Sequence, residues 1–204
     1  MAADLIPFTG DLEADETYDG LVFDGVSFAD ADAGNCHFID CAFAGASFEG
    51  GRLRQARFTD VTLRDTRFVA ADLAETGWQD VTLTRCALSG VQAFSASMRR
   101  VTFRDCKLDA VNFRGGTLRD VAFEDCLLRD AEFGGAALRR VRFGGCTLAR
   151  ADFAKATCDE VDLRGAELGI SGGYESLRGA TIDSVQLVTL APLLARHLGI
   201  IVTD

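Results

Sequence analysis

The sequence predicts an all-β solenoid, a chain that turns a corner every five residues and completes one coil every twenty. Three observations predict it. Every fifth residue from Phe23 to Leu168 is large and apolar: thirty positions hold 13 Phe and 12 Leu, where chance would place about five of the two together. A second lane two residues earlier, from Leu21 to Ala166, holds 10 Ala, 9 Val and 6 Cys. Chemistry then repeats at twenty: Cys86, Cys106, Cys126 and Cys146 form one column, and Val61, Val81, Val101, Val121, Val141 and Val161 another. A period of five fits neither the 3.6 of a helix nor the 2 of a strand. A coil that sends one large and one small side chain inward per pentad, and three residues outward, satisfies it.

Taken in chain order, residues 1–20 keep Phe8 and Tyr18 in the large lane but place Glu13 there, which predicts an irregular N-terminal cap. Residues 21–170 are the coil proper, thirty pentads or seven and a half turns, a stack roughly 36 Å long at the spacing of neighbouring strands. Within it, residues 77–98 read as the least regular stretch. Trp78 overfills the large lane, Gly77 is expected to make room for it, and Ala93 is undersized while Phe94 beside it falls at an outward position. Phe94 is therefore either tucked back by a bulge or an exposed contact residue. Ser171-Gly172-Gly173 breaks the register, after which Leu177 and Ile182 resume it one place early, predicting about one more strand pair.

From Asp183 onward the period becomes helical, so residues 171–204 comprise the last strands and a helical cap. Asp183 or Ser184 can cap the helix, Leu187, Leu190, Leu194 and Leu198 form a stripe, and Pro192 is expected to divide the segment in two. Apolar surface exceeds what one end of a stack needs. Val185, Val188, Leu190, Leu193, Leu194, Ile200 and Ile201 are thus the candidate dimerisation residues, because symmetric association buries the same patch twice.

The net charge of −10 argues against a nucleic-acid binder held by counterion release. It is unevenly spread: residues 1–50 carry −11 and no Lys or Arg, residues 51–150 carry +5, and residues 151–204 carry −4. No run of about 18 apolar residues suggests a membrane span, and the first fifty residues lack a basic leader, so a cytoplasmic protein is expected. Seven Cys with no export signal are expected to be reduced, six of them as small core residues and Cys158 in the large lane. No CxxC pair occurs, and His37 and His197 stand far apart. No metal, cofactor or catalytic residue is expected: a filled interior and convex faces offer no cleft in which nucleophile, base and orienting acid could meet.

Segments such as Ala131-Glu132-Phe133, Ala151-Asp152-Phe153 and Val161-Asp162-Leu163 resemble the A(D/N)LXX pattern of the pentapeptide-repeat family. The resemblance covers residues 21–170 and implies a right-handed quadrilateral β-helix with four pentads per coil. It also implies dimerisation through C-terminal helices. The best understood functional branch of that family comprises acidic, rod-shaped mimics of duplex DNA that bind DNA gyrase or topoisomerase IV and influence quinolone action, which makes antibiotic resistance a candidate role. No projecting loop is inserted here, and Arg outnumbers Lys 19 to 2, so the resemblance is closer to the loop-free, actinobacterial kind.

Mimicry requires carboxylates in columns. Two are available at twenty-residue spacing: Asp40, Asp60, Asp80, Asp120 and Glu160, interrupted by Arg100 and Arg140, and Asp32, Asp72, Glu132 and Asp152. Arg99, Arg119 and Arg139 stand beside the first. The alternative reading is a rigid protein-interaction scaffold with a partner other than a topoisomerase, its mixed charges forming surface ion pairs.

Overall fold

Residues 5–203 are described by a computed structural model of the chain; residues 1–4 of the expected N-terminal cap lie outside them. The backbone takes a left-handed turn at every fifth residue from Gly10 to Gly165, for example at Asp60 (φ 55°), Ala110 (φ 51°) and Gly135 (φ 66°). Between corners run strands of mostly three residues, such as Arg67–Val69 and Thr117–Arg119, with the central residue buried and its neighbours outward. Gly and Asp dominate the corners because they tolerate positive φ better than other residues.

All strand pairing among the described residues is parallel, and between the two ends of the coil it joins residues twenty apart, as in Phe103↔Phe123 and Leu118↔Leu138. Four ladders result, three built of strands and the fourth of single bridges running from Asp32 through Arg52, Asp72, Gln92, Asn112 and Glu132 to Asp152. The twenty-residue coil is therefore the unit of the fold. Inside it the large lane stacks face to face. Phe23 and Phe43 lie 4.3 Å apart, Phe103 and Phe123 4.8 Å, and Phe133 and Phe153 5.0 Å, while rings of adjoining columns meet edge to face, as Phe133 and Phe143 do at 85°. The edge-to-face contacts suit the aromatic quadrupole, and the parallel stacks follow from the strand spacing that sets one ring above the next.

Residues 77–98, expected to be the least regular, belong to its most continuous part. Gly77–Thr84 and Ser97–Arg104 are eight-residue strands paired along their length. Trp78 is seated by its surroundings and not by Gly77: its ring stacks on Phe58 at 4.3 Å and its indole N–H donates to Thr76 Oγ1 at 2.8 Å. A Cβ on Gly77 would meet nothing closer than ordinary contact, 3.6 Å from Arg57.

The ends depart from the repeat. Ile6–Pro7 pairs with Leu21–Val22 at an offset of fifteen, Phe8 packs on Phe23 at 4.5 Å, and Leu12 is buried where the register would have placed Glu13. At the other end Gly173 passes so close to the Phe153–Ala154 peptide that a Cβ would lie 2.2 Å from the Phe153 carbonyl carbon. A short 3-10 turn, Tyr174–Leu177, and one strand, Ala180–Thr181, paired with Val161–Asp162, follow; the expected strand pair is thus a turn and a strand.

A single helix, Ser184–His197, closes the stack, capped by Asp183, whose carboxylate accepts from the Gln186 N–H in a full capping box. Pro192 does not divide it. Leu190 before the proline and Leu193 and Leu194 after it all pack on the core, so tertiary contact holds both halves across the missing hydrogen bond. The packing face also differs from the expected leucine stripe: Leu187 and Leu198 are exposed, whereas Gln186 is buried. Its Nε2 donates to the carbonyls of Leu163 (2.6 Å) and Ala166 (2.7 Å), satisfying the last coil. No helix among the described residues is long and apolar enough to cross a membrane.

Candidate functional site

The residues of the first acidic column are corner residues. Asp40, Asp60, Asp80, Asp120 and Glu160 all have φ between 48° and 56°, so backbone geometry alone favours Asp at most of these places. The register stacks them along one edge, and the interrupting arginines neutralise part of the column. Arg100 grips Asp80 through Nε and Nη2, both at 2.5 Å, and Arg140 grips Asp120 at 2.5 and 2.9 Å. Those hydrogen bonds hold both carboxyls below the ordinary carboxylate range. Among the described residues, Asp40, Asp60 and Glu160 have no ion-pair partner. A cleft of about 500 Å³ beside Asp120 and Glu160 is lined by Arg100, Arg140 and Arg142 as well, and its charge is mixed.

The second column has a local structural duty. Asp72 and Asp152 accept the backbone N–H two residues on, from Ala74 at 3.0 Å and Ala154 at 2.9 Å, and Asn112 does the same for Arg114. Such Asx turns are why Asp and Asn recur at the second place of a pentad. Asp32 pairs with Arg52 at 2.9 Å, Asp72 with Arg54 at 3.8 Å and Glu132 with Arg114 at 3.4 Å. Each column is thus assembled in register, and each is broken by cations.

Phe94 sits on an unbulged backbone, half-buried, with the Arg54 guanidinium carbon 5.3 Å from its ring centre. Of the candidate dimerisation residues, Val185, Val188, Ile200 and Ile201 are exposed. Leu193 and Leu194 pack partly on the core, and Leu190 is only 1% exposed. Leu190 therefore belongs to the cap and is not available to a partner.

The cysteines are unpaired; six are buried and Cys158 is half-buried. In the stack, the Cys86 N–H donates to Cys106 Sγ and the Cys106 N–H to Cys126 Sγ, each at 3.4 Å. Burial pushes the Cys36, Cys41 and Cys158 thiols above their ordinary value. Among the described residues no three His, Cys, Asp or Glu converge as a metal site.

What sequence reasoning missed was the corner lane itself and Gln186. The enrichment of Gly and Asp at multiples of five carried the first signal. A lone glutamine on a helix carried none.

The family model described as Pentapeptide repeats (9 copies) matches residues 33–77, and that described as Pentapeptide repeat region matches residues 76–153, together more than half of the chain. The chain belongs to the pentapeptide-repeat family. No curated protein matches this pentapeptide-repeat chain. Among solved structures, it is similar to full-length QnrB1, described as a plasmid-mediated fluoroquinolone resistance protein, at 18% identity over 90% of this chain and all of that one, with a TM-score of 0.47. A trypsin-treated form of QnrB1 gives 20% identity over 97% and 96%, with a TM-score of 0.45. HetL of the cyanobacterium Nostoc, a pentapeptide-repeat protein involved in regulating heterocyst differentiation, gives 18% over 86% and 93%, with a TM-score of 0.33. Likeness at this level carries no residue role or partner across to this chain.

Proposed function

We propose that this pentapeptide-repeat protein is a non-enzymatic, cytoplasmic binding protein that mimics duplex DNA, engages DNA gyrase or topoisomerase IV, and modulates the enzyme or protects it from inhibitors such as quinolones. The observation that carries the reading is the run of unpartnered carboxylates at the N-terminal end. Asp40 and Asp60 lie twenty residues apart on one edge without an ion pair, in a stretch whose first fifty residues hold no Lys or Arg. A fixed row of such charges addresses the basic surface on which a topoisomerase seats phosphates. The uninterrupted coil, with corners at every fifth residue and no inserted loop from Gly10 to Gly165, fits the loop-free kind of mimic. Dimerisation would bury Val185, Val188, Ile200 and Ile201 and place the acidic tips at the two outer ends.

Supercoiling by purified gyrase, with and without a quinolone, tests this. Inhibition or protection at micromolar protein is expected, weakened by Asp40→Asn/Asp60→Asn and little changed by the ion-paired Asp80→Asn. An absence of any effect at several micromolar overturns it. The second reading, a rigid scaffold for another protein partner, is favoured by the Arg–Asp pairing that breaks both columns.

A further inference from the structure

Sign alternates down most charged columns of the coil. Asp65 is followed by Arg85, Asp80 by Arg100, Asp120 by Arg140 and Asp130 by Arg150, each pair hydrogen-bonded. Where like charges do stack, they are carboxylates, with one exception among the cations. Arg99, Arg119 and Arg139 occupy consecutive strands in direct lateral register, about 4.8 Å apart, and all three are exposed. Like charges directly opposite one another destabilise a sheet.

The nearby carboxylates discharge the row only in part. Asp120 is gripped by Arg140 at 2.5 Å, leaving Arg119 Nε at 3.6 Å. Asp159 reaches Arg139 at 3.2 Å, and Arg99 has no ion-pair partner among the described residues. Two places earlier on the same strands stand Ser97, Thr117 and Ala137, which are small and face the same side. A shallow trough therefore runs beside the guanidinium row, opening at its N-terminal end into a hollow of about 220 Å³ between Arg57, Gly77, Ser97 and Arg99.

We infer that this trough and its arginine row form a second interaction surface, distinct from the acidic columns, that receives a short acidic helical segment of a protein partner. Three rungs span about 10 Å, which matches carboxylates on successive turns of a helix, roughly 5–6 Å apart at i and i+4. The row is closed by Asp159 and Glu160 on one side, and beyond Gln79 on the other lie Asp60 and Asp40. A longer polyanion following the rod would meet those carboxylates, so a nucleic-acid backbone fits the surface less well.

Fluorescence anisotropy with a labelled alanine-based helical peptide bearing three glutamates at four-residue spacing tests the inference. Binding to the full chain is expected to weaken with salt and to vanish when the glutamates become glutamines. Arg99→Ala/Arg119→Ala is expected to weaken it at least tenfold, whereas the equal-charge control Arg67→Ala/Lys107→Ala, on a different column, changes it less than twofold. Arg119→Thr also separates function from architecture, because relieving the stacked charges raises Tm while binding falls. No binding at a millimolar, equal losses in the two double variants, tighter binding of a labelled single-stranded oligonucleotide, or a lowered Tm for Arg119→Thr would each overturn it.

Discussion

Corner residues carry strain unevenly. Asp60 and Gly135 sit in the left-handed region that suits them, but Ala70 and Ala110 hold φ near 50° with no side-chain compensation. Ala110→Gly is expected to stabilise the chain by about 1 kcal/mol, read as a raised denaturant midpoint at unchanged m-value. The titratable residues set a pH window by two opposite signs. Hydrogen bonds from arginine lower the folded pKa of Asp65, Asp80, Asp120 and Asp130. Their contribution is present above the unfolded carboxylate value of about 3.9 and is lost as pH falls through the lower folded value. Burial raises Cys36, Cys41 and Cys158, so above the unfolded thiol value of about 8.5 only the unfolded chain ionises and stability falls as pH rises. Urea midpoints should be flat from about pH 5 to 8 and drop on both sides; an unchanged midpoint at pH 10 would contradict the buried-thiol argument.

At the scale of elements, the pentad was fully legible because its signal was redundant: two apolar lanes and two twenty-residue columns each report the same coil. The ends were legible only in part. A break such as Ser171-Gly172-Gly173 announces a change of course, but the close approach of Gly173 to the Phe153 backbone is a contact across twenty residues that no local pattern encodes. Pro192 misled for the same reason, since the core contacts of Leu190, Leu193 and Leu194 outweigh a local breaker. The candidate site was half legible. Spacing located both acidic columns, while the ion pairs that spend Asp80 and Asp120 depend on side-chain reach between coils. Gln186 is the element-scale test: Gln186→Ala leaves the carbonyls of Leu163 and Ala166 without their side-chain donor and should cost about 1–3 kcal/mol, with loss of helical ellipticity before the β signal in a thermal melt.

For the whole molecule, the apolar surface is concentrated at one end. Val185 is 74% and Ile201 87% exposed, on the helix and the tail that follow the last coil. Light scattering at micromolar concentration is expected to give twice the 21.9 kDa chain mass, and Val185→Glu/Val188→Glu the single mass with an unchanged melting profile. A monomeric wild-type mass would remove the dimer.

The corner at every fifth residue also makes the rod indexable. Deleting twenty residues, such as 101–120, joins Arg100 to Val121 and leaves every lane on its original face, only one storey shorter. Deleting five keeps the lanes but advances everything downstream by a quarter of a revolution. The angle between the acidic tip and the terminal helix is thus set by chain length in discrete clicks, like a ratchet wheel with four teeth.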